Sequence, residues 1–187
     1  MVGRPRGFSL LELLVTLFVI VLVTSMVALN VGSGDRDILL QAAVEEVADS
    51  ANYALDEAQF SGMNYGMQLR REYQQGQWQV YIEWYEEGPT GWRSPESGKD
   101  VFAPMALPEG VEIQLESDGV VQDEEVVQPA LDGPQPQVVL YASGETVPGA
   151  IDIREADGGE LVWRIEWNML GDFRALRGGL QPEEASW

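Results

Sequence analysis

The chain has 187 residues, 31 of them acidic and 11 basic, for a formal net charge of −20. It holds neither Cys nor His, which excludes thiol chemistry, disulfides and the usual zinc sites. So acidic a chain does not bind DNA or RNA on electrostatic grounds; its charge reads as solubility and a solvated surface.

The first element is also the most informative. No charged residue stands between Leu13 and Gly34, and most of the stretch is Leu, Val, Ile, Phe and Ala. As a helix it would be roughly 33 Å long, enough for a bilayer core. Arg4 and Arg6 precede it, so its short N-terminal side is expected in the cytoplasm and everything after Gly34 in the periplasm. A secretory signal peptide would have a shorter apolar region ending in a small-residue cleavage site, and here the basic leader stops at Gly7, before the apolar run rather than after it, so a signal peptide explains it poorly. A plain single-span anchor leaves Glu12 unexplained. A carboxylate inside a span costs a few kcal/mol unless paired, which makes Glu12 a functional candidate.

Residues 35–61 read as the same helix turned amphipathic. Leu40, Val44, Val47, Ala51, Ala54 and Ala58 recur at spacings of four and three, with Ile38, Ala48 and Leu55 widening the stripe. Glu45, Glu46, Asp49, Asp56 and Glu57 fall on the other side, and Gly62 marks the stop. The Ala-rich stripe suits close packing on a sheet.

After Gly62 the period changes to two. Trp78, Val80, Ile82 and Trp84 form one inward set, Val111, Ile113 and Leu115 a second, and Leu161, Trp163, Ile165 and Trp167 a third. Shorter strands are predicted over 65–71, 137–142, 150–155 and 172–176, with Gly- and Pro-rich links between. Seven or so antiparallel strands predict two packed sheets. Trp92, beside Arg93, falls in a predicted loop and is read as an interface residue. Residues 117–136 break the rhythm with Asp118, Asp123, Glu124, Glu125, Asp132 and three prolines. A long acidic loop is the reading, with calcium as the sharper alternative, although the spacing does not fit an EF-hand. The tail from Gly178 is read as loose. The fold class is thus α+β, a long N-terminal helix on an antiparallel β head. Its parts are a leader (1–7), a membrane helix (8–34), an amphipathic continuation (35–61) and a periplasmic head (62–187).

Gly7-Phe8-Ser9-Leu10-Leu11-Glu12 followed by an apolar helix resembles the class III signal of type IV pilins and type II secretion pseudopilins. The resemblance implies that a prepilin peptidase cuts between Gly7 and Phe8 and N-methylates Phe8. It also implies that Glu12, then the fifth residue, serves assembly. The physics agrees: the cut leaves an ammonium on an apolar residue, and a staggered neighbour's Glu12 is the opposite charge at comparable depth.

A second stretch narrows the family. Val138–Ala142, then Ser143-Gly144-Glu145, then Thr146-Val147-Pro148 leading into Gly149–Ile153, resembles the signature of the GspH-type minor pseudopilins, with Val147 where that family tends to have Thr. The stretch reads as a hairpin. Asn168-Met169-Leu170-Gly171 is similar to the family's Leu-Gly turn, and Phe60–Leu69 also fits. The resemblance implies an inner-membrane structural subunit without cofactor or metal. Its partners would be other minor and major pseudopilins, the prepilin peptidase, the inner-membrane secretion platform and the membrane, with no nucleic acid. It would help initiate the pseudopilus or join its tip complex to the fibre. A minor pilin of a type IV pilus, for twitching or DNA uptake, is the alternative; many of those carry a C-terminal disulfide, which this chain cannot form. An anchored hydrolase would need paired carboxylates or a Ser–Lys dyad, and Lys99, the one lysine, has no partner marked by spacing.

Overall fold

A computed structural model describes residues 10–74, 76–95, 100–122 and 133–179. The chain divides into two compact units, Met1–Leu39 and Leu40–Trp187. The helix α1 (Leu10–Ser61) contributes to both.

In the first unit the described side chains of α1 are exposed and almost wholly apolar, from Leu10 through Val23. The hydroxyls of Thr16 and Thr24 bond back to carbonyls of the preceding turn, which lets a polar residue sit in an apolar helix without an unpaired donor. Among the described residues no helix is long and apolar enough to cross a membrane. The sequence's apolar run extends past Ser25 into side chains outside that description.

The second unit is the head. Leu40, Val44, Val47, Ala48, Ala51, Ala54, Leu55 and Ala58 are all buried, as the stripe predicts. Ile38 is exposed instead, because cover on the helix begins only at Leu40. Gly62 ends the helix at φ +71°, its N–H donating to the Ala58 carbonyl at 2.9 Å, as a C-terminal glycine should.

Among the described residues ten strands follow, in two antiparallel sheets. The first is β3-β2-β1-β7, with β4 also on β2: β1 (Tyr65–Gln74), β2 (Gln77–Gly88), β3 (Gly91–Arg93), β4 (Met105–Ala106) and β7 (Val138–Leu140). The second is β10-β9-β8-β5-β6: β5 (Val111–Ser117), β6 (Val120–Gln122), β8 (Gly149–Glu155), β9 (Leu161–Trp167) and β10 (Phe173–Arg177). The two-sheet α+β architecture is the predicted one. Tyr65, Met67, Leu69, Val80, Ile82 and Trp84 from the first sheet join Val111, Ile113, Leu115, Ile151, Ile153, Trp163, Ile165 and Trp167 from the second in one core with the helix stripe. A 3-10 turn, Asp100–Phe102, places the Phe102 ring 5.2 Å from Tyr65, 5.7 Å from Tyr53 and 6.1 Å from Trp84.

Three expectations are corrected. Trp78 is not inward: it pairs with Tyr73 at the turn end of the β1–β2 hairpin, past the last core layer, and is 51% exposed. Trp92 is not in a loop: β3 pairs it with Glu87, and it lies over Gly66 beside Pro136. The stretch 138–153 is not a hairpin, because β7 pairs β1 whereas β8 pairs β5 and β9. Only the Leu140–Thr146 bridge of the expected hairpin forms, after which the chain crosses to the other sheet. Within 117–136, β6 occupies the first part, and residues 123–132, where most of the acidic cluster falls, lie outside the described residues.

Candidate functional site: the helix start and the signature crossover

Gly7 and Phe8 lie outside the described residues. Glu12 stands in the first turn of α1 with an exposed side chain, surrounded by Leu10, Leu11, Leu13 and Leu14. No ion pair is formed by Glu12 among the described residues. Its placement near a helix N-terminus suits a negative charge.

The other predicted residues come together beside the C-terminal end of α1, where the chain passes between the sheets. Tyr141–Glu145 form a closed turn. The Gly144 N–H donates to the Tyr141 carbonyl at 2.9 Å, and the Tyr141 N–H to the Glu145 carbonyl at 2.9 Å. Gly144 sits at φ +87°, and a Cβ there would come within 3.1 Å of the Gln59 side chain on α1. The positive φ favours glycine, and the Gln59 amide, the far end of a flexible side chain, would have to give a few tenths of an ångström for any side chain here. Ser143 and Glu145 are exposed.

Thr146 is buried, its hydroxyl donating to the Val139 carbonyl at 2.8 Å and its N–H to the Met169 carbonyl at 3.1 Å. The Val147 carbonyl accepts from the Trp167 indole at 2.6 Å, and the Pro148 carbonyl from the Asp118 N–H at 2.9 Å. Gly149 then starts β8 so close to the Glu116 carbonyl and the Trp167 ring that no side chain fits. Proline there directs the chain into the new sheet without an orphan donor.

The second turn locks against the first. Asn168 accepts from Leu170 N–H at 2.9 Å and Asp172 N–H at 3.2 Å, an Asx turn. Gly171, at φ +68°, lies against Leu55 of α1. Asn52 of α1 both accepts from the Phe173 N–H at 3.0 Å and donates to its carbonyl at 3.1 Å. Asn64 does similar work for the first turn, accepting from the Ala142 N–H at 2.9 Å while donating to Glu87 at 2.7 Å. Sequence reading missed Asn52 and Asn64; the signal available was a polar amide beside an Ala-rich stripe and one just after a helix-ending glycine.

The profile of the family described as "Type II transport protein GspH" matches residues 43–171, from the helix stripe through the Gly171 turn. The chain belongs to the GspH family. The profile of the prokaryotic N-terminal methylation motif matches residues 3–28. Type II secretion system protein H of Pseudomonas aeruginosa is 27% identical over 161 residues, covering 80% of this chain and 83% of that protein. The fold is shared with solved structures of the minor pseudopilin EpsH from the type II secretion system of Vibrio cholerae. One has a TM-score of 0.60 at 24% identity, covering 79% of this chain and 99% of the other. The solution structure of E. coli GspH gives a TM-score of 0.51 at 17% identity, covering 78% and 94%. A GspH-family chain is a minor pseudopilin of type II secretion, anchored in the inner membrane with a periplasmic head, and its partners are other pseudopilins.

Hydrogen bonds tie the turns and strands of this fold together locally. The charged groups on the open sheet face are engaged with one another. Arg164 of β9 donates to Asp152 of β8 at 2.8 Å and to Glu116 of β5 at 2.9 Å, tying three strands. Burial works to lower the Arg164 pKa, but the Glu116 bond and the Asp152 charge outweigh it and hold the guanidinium charged.

Proposed function

We propose that this minor pseudopilin is cut between Gly7 and Phe8, methylated on Phe8, and registered in the pseudopilus by pairing Glu12 with the Phe8 ammonium of a neighbour. The observation that carries the reading is Glu12 itself, a carboxylate on an apolar helix face with no counter-charge among the described residues. The methylation motif over residues 3–28 supports the processing step. Such a lone charge in low dielectric is costly until a partner arrives, so it favours the assembled state.

In this reading the head adds contacts and performs no catalysis. Val147, Met169 and Leu170 are exposed on the two interlocked turns and offer an apolar surface to an adjoining pseudopilin. The protein then helps initiate the fibre or joins it to a tip complex, handled on the way by the prepilin peptidase and the inner-membrane platform.

Mass spectrometry of the mature N-terminus tests the first step. Methylated Phe8 is the expected terminus. An intact Met1, or a cut beyond the apolar run, overturns the reading.

A further inference from the structure

One edge of β2 pairs with β1, and the other carries two short strands with a gap between them. β4 pairs with Tyr81 and Ile82, and β3 with Glu86, Glu87 and Gly88. The alternation of an antiparallel ladder tells which main-chain groups face that second edge. The Val80 carbonyl accepts there from the Leu107 N–H at 2.9 Å, so every second residue, Ile82, Trp84 and Glu86, points the same way. The Glu87 N–H, donating to the Asn64 carbonyl at 2.9 Å, belongs to the other set, which faces β1.

Ile82 meets Met105 and Glu86 meets Arg93. Trp84, between them, aims its N–H and its C=O into the gap, and neither has a partner among the described residues. The register explains why. Continued from β3 it sets Pro95 opposite Trp84, and continued from β4 it sets Ala103 there. Pro95 has no N–H to give, and the Ala103 N–H already donates to the Asp100 carbonyl at 3.0 Å. The gap is a pocket of about 290 Å³ lined by Trp84, Ser94, Pro95, Phe102, Ala103 and Pro104. That is at the small end for a ligand site and suits a side chain.

Twice elsewhere the head caps such a strand-edge pair, each time with a carboxamide. The Gln137 side chain accepts from the Leu69 N–H at 2.8 Å and donates to the Leu69 carbonyl at 3.2 Å. Asn52 does the same for Phe173. A carboxamide sets one acceptor beside one donor, which no carboxylate, ammonium or guanidinium does. An added strand does not fit, because β3 and β4 hold the edge on both sides and leave about 13 Å from Ile82 to Glu86. The link 96–99 between Pro95 and Asp100 includes neither Asn nor Gln, so it supplies no such group. We propose that this pocket receives an Asn or Gln side chain of an adjoining pseudopilin, which bonds the main chain of Trp84 as Gln137 bonds that of Leu69. The proposal rests on the reading that the head contacts other pseudopilins.

Full-length protein in detergent micelles, labelled with 15N-tryptophan, gives main-chain amide signals for its six tryptophans, and Trp84→Phe identifies one by its loss. Propionamide, the Gln side chain as a free molecule, is the probe, with propionate and propylammonium as controls. The Trp84 amide proton should move downfield saturably with propionamide and with neither ion. Ala103→Phe and, separately, Ser94→Phe, both at exposed positions on the pocket, should abolish the shift with an unchanged thermal melt. No saturable shift, equal shifts for all three compounds, or a shift that survives both substitutions overturns the site. The partner is read separately. On addition of the other pseudopilins of the same cell, deuterium exchange at the Trp84 amide should slow several-fold, and Ala103→Phe should lose that slowing. Propionamide binding with no slowing in a complex that forms overturns a pseudopilin as the occupant. Absence of any complex overturns instead the assembly reading on which the proposal rests.

Discussion

The main-chain N–H of Thr146 donates to the carbonyl of Met169 at 3.1 Å, joining the crossover between the sheets to the turn after β9. Neither turn stands alone. The first rests on Gln59 through Gly144, the second on Leu55 through Gly171. The family signature is therefore a structural clasp at the C-terminal end of α1, and the exposed residues it carries hold their positions because the glycines beneath them admit the helix.

That clasp gives a stability prediction. Gly171→Ala places an L-residue at φ +68° and drives its methyl into the Leu55 side chain. The left-handed backbone costs about 1–2 kcal/mol and the overpacking about as much, for a loss of about 2–4 kcal/mol. Gly62→Ala, at φ +71° in open space, should lose only the backbone part. Adding Leu55→Ala to Gly171→Ala should relieve the clash while opening its own cavity, so the double variant should be less unstable than the sum. Denaturant melts of the four variants, Leu55→Ala alone among them, check this.

A second prediction concerns Glu86, which is 1% exposed and paired with Arg93 of β3 at 2.8 Å. Arg93→Met leaves that carboxylate without its cation. Water reaches the half-exposed Arg93 position, so the cost should be about 2–3 kcal/mol, below that of a fully buried pair. Glu86→Gln/Arg93→Met should recover much of it. A thermodynamic cycle on the four proteins gives the coupling, and additivity would show that the pair does not hold β3 to β2.

The phenol of Tyr85 is pushed up to about 12, first by burial and then by its bond to Glu83 at 2.8 Å. The neutral form is thus favoured in the folded state. Its contribution is complete below the ordinary tyrosine value near 10 and is lost as pH rises toward 12. Tyr85 is only partly buried, so screening keeps the effect below about 1 kcal/mol. In ultraviolet titration, the difference between the parent and Tyr85→Phe should be a phenol that ionises late.

Much of this was legible in the sequence because periodicity reports burial. The stripe from Leu40 to Ala58 and the alternating sets around Ile82, Ile113 and Ile165 are core, apart from exposed Trp78 and half-buried Leu161. What periodicity lacks is the extent of a partner. Trp78 continues the alternation of Val80 and Ile82, yet the layer that covers those residues ends before it. The short strands β3, β4 and β6 were illegible for a related reason: two or three residues carry no period, and pairing alone makes them strands. The crossover at Pro148 was misread because a Gly turn before a Pro-led strand looks local. The choice of sheet is set by distant groups such as Trp167 and Asp118.

The last prediction concerns Glu12. Its side chain stands exposed on an apolar helix face and forms no ion pair among the described residues. The competing view is that it lies near enough to the cytoplasmic face to snorkel and has no role. In the assembly reading, it meets the ammonium of Phe8 on an adjoining subunit, and losing it leaves that ammonium unpaired in low dielectric, a penalty of about 3–5 kcal/mol for a buried pair. Glu12→Gln keeps the shape and removes the charge. It should still insert and still be cleaved, since the cut lies at Gly7, but it should enter the pseudopilus poorly and lower secretion. Head contacts through Val147, Met169 and Leu170 soften the defect, so Glu12→Gln combined with Leu170→Asp should be worse than either alone. Complementation of a deletion strain, with cross-linking to the other pseudopilins, reads both effects. Normal secretion with normal cross-links for Glu12→Gln would show that this carboxylate does not set the register.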